Sequence, residues 1–186
     1  RLVDRDDPTK DVPDGEPGEI LVQGPQVFSG YLNDPEETAR AFVDGWFRTG
    51  DIGVNDDGFI YLVDRSKDLI ITSGFNVFPS HVENAIRKLT NVDDVVVVGI
   101  PDDATGERVA AVVTAPWRAP DLTRFRATLE KELPHYALPR ELHLVESIPR
   151  SLIGKAERRK VQQQLIDAAP VKKVTDWRKD GSFLES

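Results

Sequence analysis

A lysine directly after a glycine, in the stretch PRSLIGKAERR over residues 149–159, is the feature with the clearest chemical potential. Glycine allows backbone angles that other residues disfavour, and it leaves room beside it. A lysine at such a position, just before a charged run, can act as a point charge on phosphate or carboxylate oxygens. The alternative is that Lys155 is an ordinary solvated lysine near a helix start, as most lysines are exposed. This stretch alone leaves both interpretations open.

Two further segments contain side chains that suit an oxygen-rich ligand. In FRTGD (47–51), Asp51 follows a predicted strand at a tight turn, where its carboxylate could accept hydrogen bonds from vicinal hydroxyls such as a ribose diol. In DRSKDLIITSGFNVFP (64–79), Arg65 offers a fork of donors, and Gly74 would let a ligand approach the backbone closely. Taken separately, each segment is explained more simply by turn formation, because Asp and Gly favour turns.

Composition excludes several classes of function. A net charge of -8 argues against nucleic acid and against anionic lipid as partners, because both are recognised by basic surfaces. The absence of cysteine excludes disulfides, thiolate catalysis and zinc–thiolate sites, and it fits a reducing, cytoplasmic location. The 3 histidines are widely spaced, which argues against a histidine metal site. No apolar run approaches the length of an integral membrane segment.

The first part of the chain is predicted to consist of short strands, glycine turns and one helix. The helix is expected over 33–42, with Asn33 or Asp34 as its N-cap and Pro35 in its first turn. Strands are predicted over 19–24, over 45–54 with an internal turn, and over 56–65. This pattern is typical of a sheet or small barrel, and it looks incomplete alone. The sequence lacks methionine and is therefore expected to be a fragment of a longer protein.

A second pattern begins between Asp64 and Lys67, and it predicts a small α+β domain with a three-stranded sheet and packed helices. Apolar residues at helical spacing or in continuous runs place its elements. Helices are expected over 80–89, 121–133 and 155–169, with strands over 92–102, 106–115 and 141–148. LIIT (69–72) is predicted to be an apolar strand, GFNVFP (74–79) a loop, and the residues after 170 a polar tail.

The order of the segments GWFRTGD, DRSKDLIITSGFNVFPSHVE and PRSLIGKAERR is far more specific than any of them alone. Together with GYLNDPEETARAF and ELPHYALPRELHLVESIP, they resemble the carboxy-terminal portion of the adenylate-forming enzymes. That family includes acyl-CoA synthetases, firefly luciferase and peptide-synthetase adenylation domains. The resemblance extends from about Gly15 to Asp167, and it is greatest to bacterial fatty-acid and aryl acyl-CoA ligases.

The resemblance implies an ATP-dependent activation of a carboxylic acid, in particular a fatty acid, to an acyl-adenylate, followed by transfer to coenzyme A. Asp51 would bind the ribose hydroxyls of ATP, and Arg65 would assist there. Lys155 would bridge the carboxylate of the acid and the phosphate of ATP during adenylation. Because this step brings two anions together, a cation aimed at both would stabilise the developing charge.

The resemblance also implies a domain organisation and a place for coenzyme A. Residues 1–64 would end a large amino-terminal adenylation domain, residues 65–170 would form a mobile carboxy-terminal domain, and 171–186 would be a tail. Lys67 corresponds to the hinge of that domain, where family members carry Asp or Lys. The loop of Ser73, Gly74 and Phe75 would line the pantetheine tunnel.

The sequence departs from the family pattern in two ways. His81 stands where a glutamate is usual, although Glu83 is present. The phosphate loop and the acid pocket do not occur in this sequence, so Mg²⁺ is expected to be bound mainly by the missing part. We therefore expect the fragment alone to be inactive, and its exposed apolar strands to favour self-association.

Two alternatives stay open at this point. One is an acyl-AMP ligase that passes its product to a carrier protein, and the other is a non-catalytic binding module of the same fold. The presence of Asp51, Arg65, Lys67 and Lys155 argues against the second.

Overall fold

The computed structural model describes residues 1–90, 92, 94–114 and 129–167, which belong to two compact units. The division between the units falls after Lys67. The α+β class predicted from the sequence is confirmed, because both units contain mainly antiparallel sheets with few helices. The domain assignment at residues 64 and 170 stays a prediction, and the predicted tail over 171–186 lies outside the described residues.

The first unit is a five-stranded sheet with one short helix. Its longest strand, β4, pairs with β2 along one edge and with β3 and β5 at the two ends of the other edge. All pairs in this sheet are antiparallel, including β1 with β2. The elements are β1 (Leu2–Val3), β2 (Pro17–Val22), α1 (Pro35–Ala41), β3 (Phe42–Val43), β4 (Trp46–Asp56) and β5 (Phe59–Arg65).

Strand β4 continues through the segment in which the sequence predicted an internal turn. The backbone is irregular there: Gly50 has a φ of 71°, and the register with β2 shifts between Ile52, opposite Glu19, and Arg48, opposite Leu21. Because β4 is paired on both edges, the irregularity is absorbed as a bulge and the strand is not interrupted. The predicted strand–turn–strand is therefore wrong, and so is the predicted tight turn at Asp51, because Asp51 lies within β4.

Helix α1 shows which of the two candidate caps is used. The Asp34 carboxylate accepts a hydrogen bond from the Glu37 N–H at 2.9 Å, and Pro35 is the first helical residue. Asp34 thus satisfies one of the orphan donors of the first turn, and Asn33 lies outside the helix. None of the α1 residues is buried.

Three hairpins in the two units are closed by two-residue turns of one kind. Asp44–Gly45 joins β3 to β4, Asp57–Gly58 joins β4 to β5, and Ser73–Gly74 joins the first two strands of the second unit. In each turn both residues have positive φ, between 49° and 83°. That is the geometry of the type I′ turn, whose twist matches that of the flanking strands and which favours glycine at its second position.

The second unit contains a five-stranded sheet, so the prediction of three strands is wrong. The additional strands are β6 and β7, of three residues each. β6 lies within the predicted apolar strand LIIT, which the sequence did not assign to this sheet, whereas β7 was not predicted. The segment predicted as a loop, 74–79, thus contains β7. The elements are β6 (Ile70–Thr72), β7 (Phe75–Val77), α2 (Pro79–Leu89), β8 (Val95–Asp102), β9 (Gly106–Thr114), β10 (Glu141–Val145) and α3 (Arg158–Asp167).

Strand β8 is buried on both faces, which explains its continuous apolar run. Val95 and Val97 belong to a core that includes Ile86 of α2. Their neighbours Val96, Val98 and Ile100 point to the opposite face and pack in a second core with Val161 of α3. A strand covered on both faces does not alternate in polarity, unlike a strand with one wet face.

The edge of β8 that faces away from β9 is covered by side chains of the two helices. Backbone groups of alternate residues, which do not pair with β9, are satisfied there by charged and amide groups. The bonds are Arg87 to the Val95 carbonyl (3.2 Å), the Val97 N–H to Glu83 (2.9 Å), Arg158 to the Val97 carbonyl (3.2 Å) and Gln162 to the Gly99 carbonyl (2.7 Å). The helices therefore seal both a face and an edge of this strand.

Helix α3 begins at Arg158, three residues later than predicted. The reason is that the Glu157 N–H bonds back to the Pro149 carbonyl at 2.9 Å, which holds the preceding residues in a loop. The helix predicted over 121–133 starts outside the described residues, of which 129–132 are helical. Among the helices that the structure describes, none has the length and apolar character needed to cross a membrane.

Candidate functional site

Asp51 and Arg65 lie opposite each other on β4 and β5 of the first unit. The Arg65 Nε lies 3.3 Å from the Asp51 Oδ1, and the two side chains are 57% and 34% exposed. The Asp51 N–H donates to the Thr49 hydroxyl at 3.1 Å, and that hydroxyl donates to the Ile20 carbonyl at 2.8 Å. The bulge thus presents a carboxylate acceptor and a guanidinium donor side by side, both within reach of a polar ligand.

Lys67 ends the first unit in a short 3₁₀ turn over Ser66–Asp68. Its side chain is exposed, as expected for a linker position. The next residue, Asp68, belongs to the second unit, where its carboxylate lies 3.8 Å from the Arg158 Nε. The chain segment between the units is therefore fastened to the second unit immediately after Lys67.

The Ser73–Gly74 turn and Phe75 form the tip of the β6–β7 hairpin. The Ser73 N–H donates to the Thr105 carbonyl at 2.8 Å, which ties the turn to the β8–β9 hairpin. Phe75 is half exposed and stacks on Tyr136, with ring centroids 4.4 Å apart and planes 9° apart. Sequence reasoning missed Tyr136, which lies in a 3₁₀ turn far along the chain and carries no local signal for this contact.

Lys155 is exposed on a short closed loop in the second unit. Arg150 and Ala156 form a bridge at the base of the loop, the Ser151 N–H donates to the Lys155 carbonyl at 2.8 Å, and the Gly154 N–H donates to the Ser151 carbonyl at 2.9 Å. Gly154 has a φ of 79°, and an added Cβ would meet no atom within 4 Å. The glycine is therefore required for its backbone conformation, since space beside it is open.

The start of α3, just beyond this loop, is held by a buried carboxylate. Glu83 of α2 is 5% exposed and forms a two-pronged ion pair with the Arg158 guanidinium, in which the Nη2–Oε2 distance is 3.1 Å. The same carboxylate accepts from the Val97 N–H. Paired and hydrogen-bonded in this way, a buried charge is stable, and it holds the first turn of α3 against α2.

Apart from Lys67, the predicted residues thus form three groups. Asp51 stands with Arg65 in the first unit, the Ser73–Gly74–Phe75 tip stands with Tyr136 in the second, and Lys155 occupies its own loop. Their roles toward a nucleotide or coenzyme A stay predictions. The anchoring residues Arg150 and Arg158 were missed, although both lie within the PRSLIGKAERR segment.

The three histidines differ in their exposure. His81 and His135 are exposed, but His143 is buried and bonds to the Glu141 carboxylate at 2.9 Å. Glu141 also pairs with Arg108 at 2.7 Å, so His143 belongs to an internal polar network. Within the ranges that the structure describes, no group of three His, Cys, Asp or Glu side chains could hold a metal ion.

Comparison with known proteins identifies the family. The family model described as the AMP-binding enzyme C-terminal domain matches residues 81–155, so the match ends at the lysine of the closed loop. A long-chain-fatty-acid–CoA ligase of Salmonella typhimurium is 40% identical over 167 residues, which are 88% of this chain and 29% of the relative. A 2-succinylbenzoate–CoA ligase of Listeria monocytogenes is 38% identical over 148 residues, 79% of this chain and 32% of the relative.

A solved structure agrees with these relatives in fold. ATP-bound MatB from Rhodopseudomonas palustris superposes with a TM-score of 0.81 and 34% identity, over 90% of this chain and 34% of that one. The chain spans about a third of the length of the proteins that it matches. The motif order, the folds of the two units and these matches together lead to one conclusion: the chain belongs to the adenylate-forming enzymes and corresponds to a carboxy-terminal portion of their acyl-CoA synthetases.

Proposed function

We propose that this chain supplies the ribose-binding pair and the adenylating lysine of an acyl-CoA ligase. In the first half-reaction a carboxylate oxygen of the acid attacks the α-phosphorus of ATP, the bond to pyrophosphate breaks, and an acyl-adenylate forms. In the second, the sulfur of coenzyme A attacks the acyl carbon, the thiol loses its proton, and AMP leaves.

The observation that carries the proposal is the presentation of Lys155. Its ammonium projects from an exposed, hydrogen-bonded loop, and its flanking peptides are held in place. A cation presented in this way can approach the oxygens of both reacting anions without reorganising its backbone. Asp51 and Arg65 support the same reading, since a paired acceptor and donor suit the two hydroxyls of a ribose.

Two alternating poses of the second unit would explain how one lysine serves only the adenylation step. In this proposal the segment at Lys67 is the hinge, and the Ser73–Gly74–Phe75 tip meets the pantetheine of coenzyme A in the other pose. The described residues offer no metal site of their own, so Mg²⁺ would be bound by other parts of the enzyme.

The decisive experiment is Lys155→Ala in the full-length protein, assayed by ATP–pyrophosphate exchange. Removal of one group that stabilises the developing charge should lower the rate about 10²- to 10³-fold. The matched control is Lys160→Ala, which removes another exposed lysine, whose ammonium lies 2.7 Å from the Glu157 carboxylate. Exchange unchanged by Lys155→Ala would instead favour a non-catalytic module of the same fold.

For the substrates, we propose a class of acid and an acceptor. The relatives include ligases for fatty acids and for 2-succinylbenzoate, so their names support a carboxylic acid, and we favour a fatty acid on the larger number of such names. Coenzyme A is the favoured acceptor for the same reason. Incubation of the full-length enzyme with ATP, a fatty acid and either coenzyme A or a phosphopantetheinyl carrier protein distinguishes the two acceptors by the thioester that forms.

A further inference from the structure

Arg150 contacts both the loop of Lys155 and the body of the second unit. Its Nη1 donates to the Gly154 carbonyl at 2.6 Å, and its Nη2 donates to the Asp94 Oδ1 at 2.6 Å. Asp94 directly precedes β8, the strand that both cores enclose. One planar guanidinium therefore links the loop to the most buried strand of the unit.

The hydrogen bond from Arg150 to the Gly154 carbonyl also affects Lys155, because the two residues share a peptide group. The Gly154 carbonyl and the Lys155 N–H belong to the same peptide plane, so a bond that holds that oxygen also holds the Lys155 nitrogen. On the other side of Lys155, its own carbonyl accepts from the Ser151 N–H at 2.8 Å. Both peptides that flank the Lys155 Cα are thus held, one by backbone and one by Arg150.

We propose that Arg150 is a positioning residue that sets the direction in which the Lys155 side chain leaves the backbone, an inference that rests on the proposed adenylating role of Lys155. A lysine side chain has four rotatable carbon–carbon bonds. Fixing the backbone at its Cα therefore reduces the volume that the ammonium group can reach. Correct placement is worth a great deal in catalysis, because a shift of about 1 Å at a reacting group can lower a rate about 10²-fold.

The residue type fits this role better than a role in stability. The Arg150 and Asp94 side chains are 44% and 24% exposed, so their ion pair is partly screened by water. A guanidinium, however, presents donors in a fixed fork, and it can bind a carbonyl and a carboxylate at the same time. A lysine at position 150 would reach one of the two acceptors at a time.

The test compares Arg150→Met, Arg150→Lys and Lys155→Ala in the full-length protein, with both half-reactions measured separately. Arg150→Met should lower kcat for ATP–pyrophosphate exchange about 10-fold with little change in the KM for ATP. Transfer of a preformed acyl-adenylate to coenzyme A should be unchanged, and Arg150→Lys should restore part of the exchange rate. Asp94→Ala combined with Arg150→Met should be no slower than Arg150→Met alone.

Hydrogen exchange gives a readout that does not depend on the reaction. In Arg150→Met, the amides of Ser151 and Gly154 should exchange faster than in the unmodified protein, while those of β8 keep their protection. An equal loss in both half-reactions, or unchanged exchange of the loop amides, would overturn the inference. If Lys155→Ala abolishes adenylation while Arg150→Met does not slow it, the proposed function survives and the positioning role fails. If Lys155→Ala leaves ATP–pyrophosphate exchange unchanged, the proposed function is refuted, and the positioning role fails with it. Hydrogen exchange of the Ser151 and Gly154 amides then shows only whether Arg150 holds the loop.

Discussion

Strands β5 and β8 are both rich in large apolar residues, yet their surroundings are opposite. Four successive residues of β5, from Phe59 to Leu62, are exposed, and Leu62 reaches 71%. Val97 in the middle of β8 is 0% exposed. Composition alone therefore predicts the strands correctly but does not predict which of them forms a core.

The difference comes from the helices of each unit. In the second unit, α2 and α3 cover the two faces of the sheet and also bond to the outer edge of β8. In the first unit, α1 buries none of its residues, and the first four residues of β5 stay exposed. The second unit therefore buries its apolar strand β8 with its own helices, whereas the apolar strand β5 of the first unit is exposed to solvent in this chain.

The largest effect on this contrast should come from breaking the ion pair that fastens α3. Arg158→Met leaves the Glu83 carboxylate buried without its main cation, which should lower the free energy of unfolding of the second unit by about 3 kcal/mol. Urea denaturation followed by far-ultraviolet circular dichroism measures the loss. Arg159→Met, at the exposed neighbouring position, serves as the control. Equal and small effects from both variants would show that the pair does not hold the helix.

A smaller change in the free energy of unfolding should distinguish β8 from β5 when one apolar residue of each is truncated. Val97→Ala removes two buried methyl groups and should lower the free energy of unfolding by about 2 kcal/mol. Leu62→Ala removes more atoms but from an exposed site, so its effect should stay below about 0.5 kcal/mol. The same denaturation experiment compares them. A larger loss from Leu62→Ala would mean that β5 is covered in solution.

The smallest effect should come from the turn at the β6–β7 tip. Ser73 has a φ of 51°, in a type I′ position that the other two hairpins fill with Asp. Asn adopts this conformation more readily than Ser, so Ser73→Asn should raise the thermal stability of the second unit by about 0.5 kcal/mol. Ser73→Val, with a branched side chain at the same position, should lower it. Scanning calorimetry of the two variants tests the sign, and destabilisation by Asn would contradict the turn assignment.

The sequence predicted those features that depend on local spacing. The apolar positions of α2, the cap of α1 and the valine run of β8 are all readable from residues a few positions apart. The motif order singles out Lys155, Asp51 and Arg65 as site residues, and their roles stay predictions. Each of these is decided by contacts within one element or between neighbouring strands.

The features that were missed depend on residues far apart in the chain. Glu83 and Arg158 are 75 positions apart, and Asp94 and Arg150 are 56 apart. No spacing rule connects such pairs in a single sequence, because their contact exists only after the sheet and helices have assembled. The late start of α3 follows from the same kind of contact, between Glu157 and Pro149.

The side chains along the outer edge of β8 have a consequence for solubility. An exposed strand edge is a template on which another chain can add a strand, the first step toward fibres and sheet-mediated aggregates. Here the alternate carbonyls of Val95, Val97 and Gly99 are already engaged by arginine and glutamine. An incoming strand would have to displace these side chains, including Arg158 with its ion pair to the buried Glu83, so the apolar strand β8 is protected from this kind of misassociation.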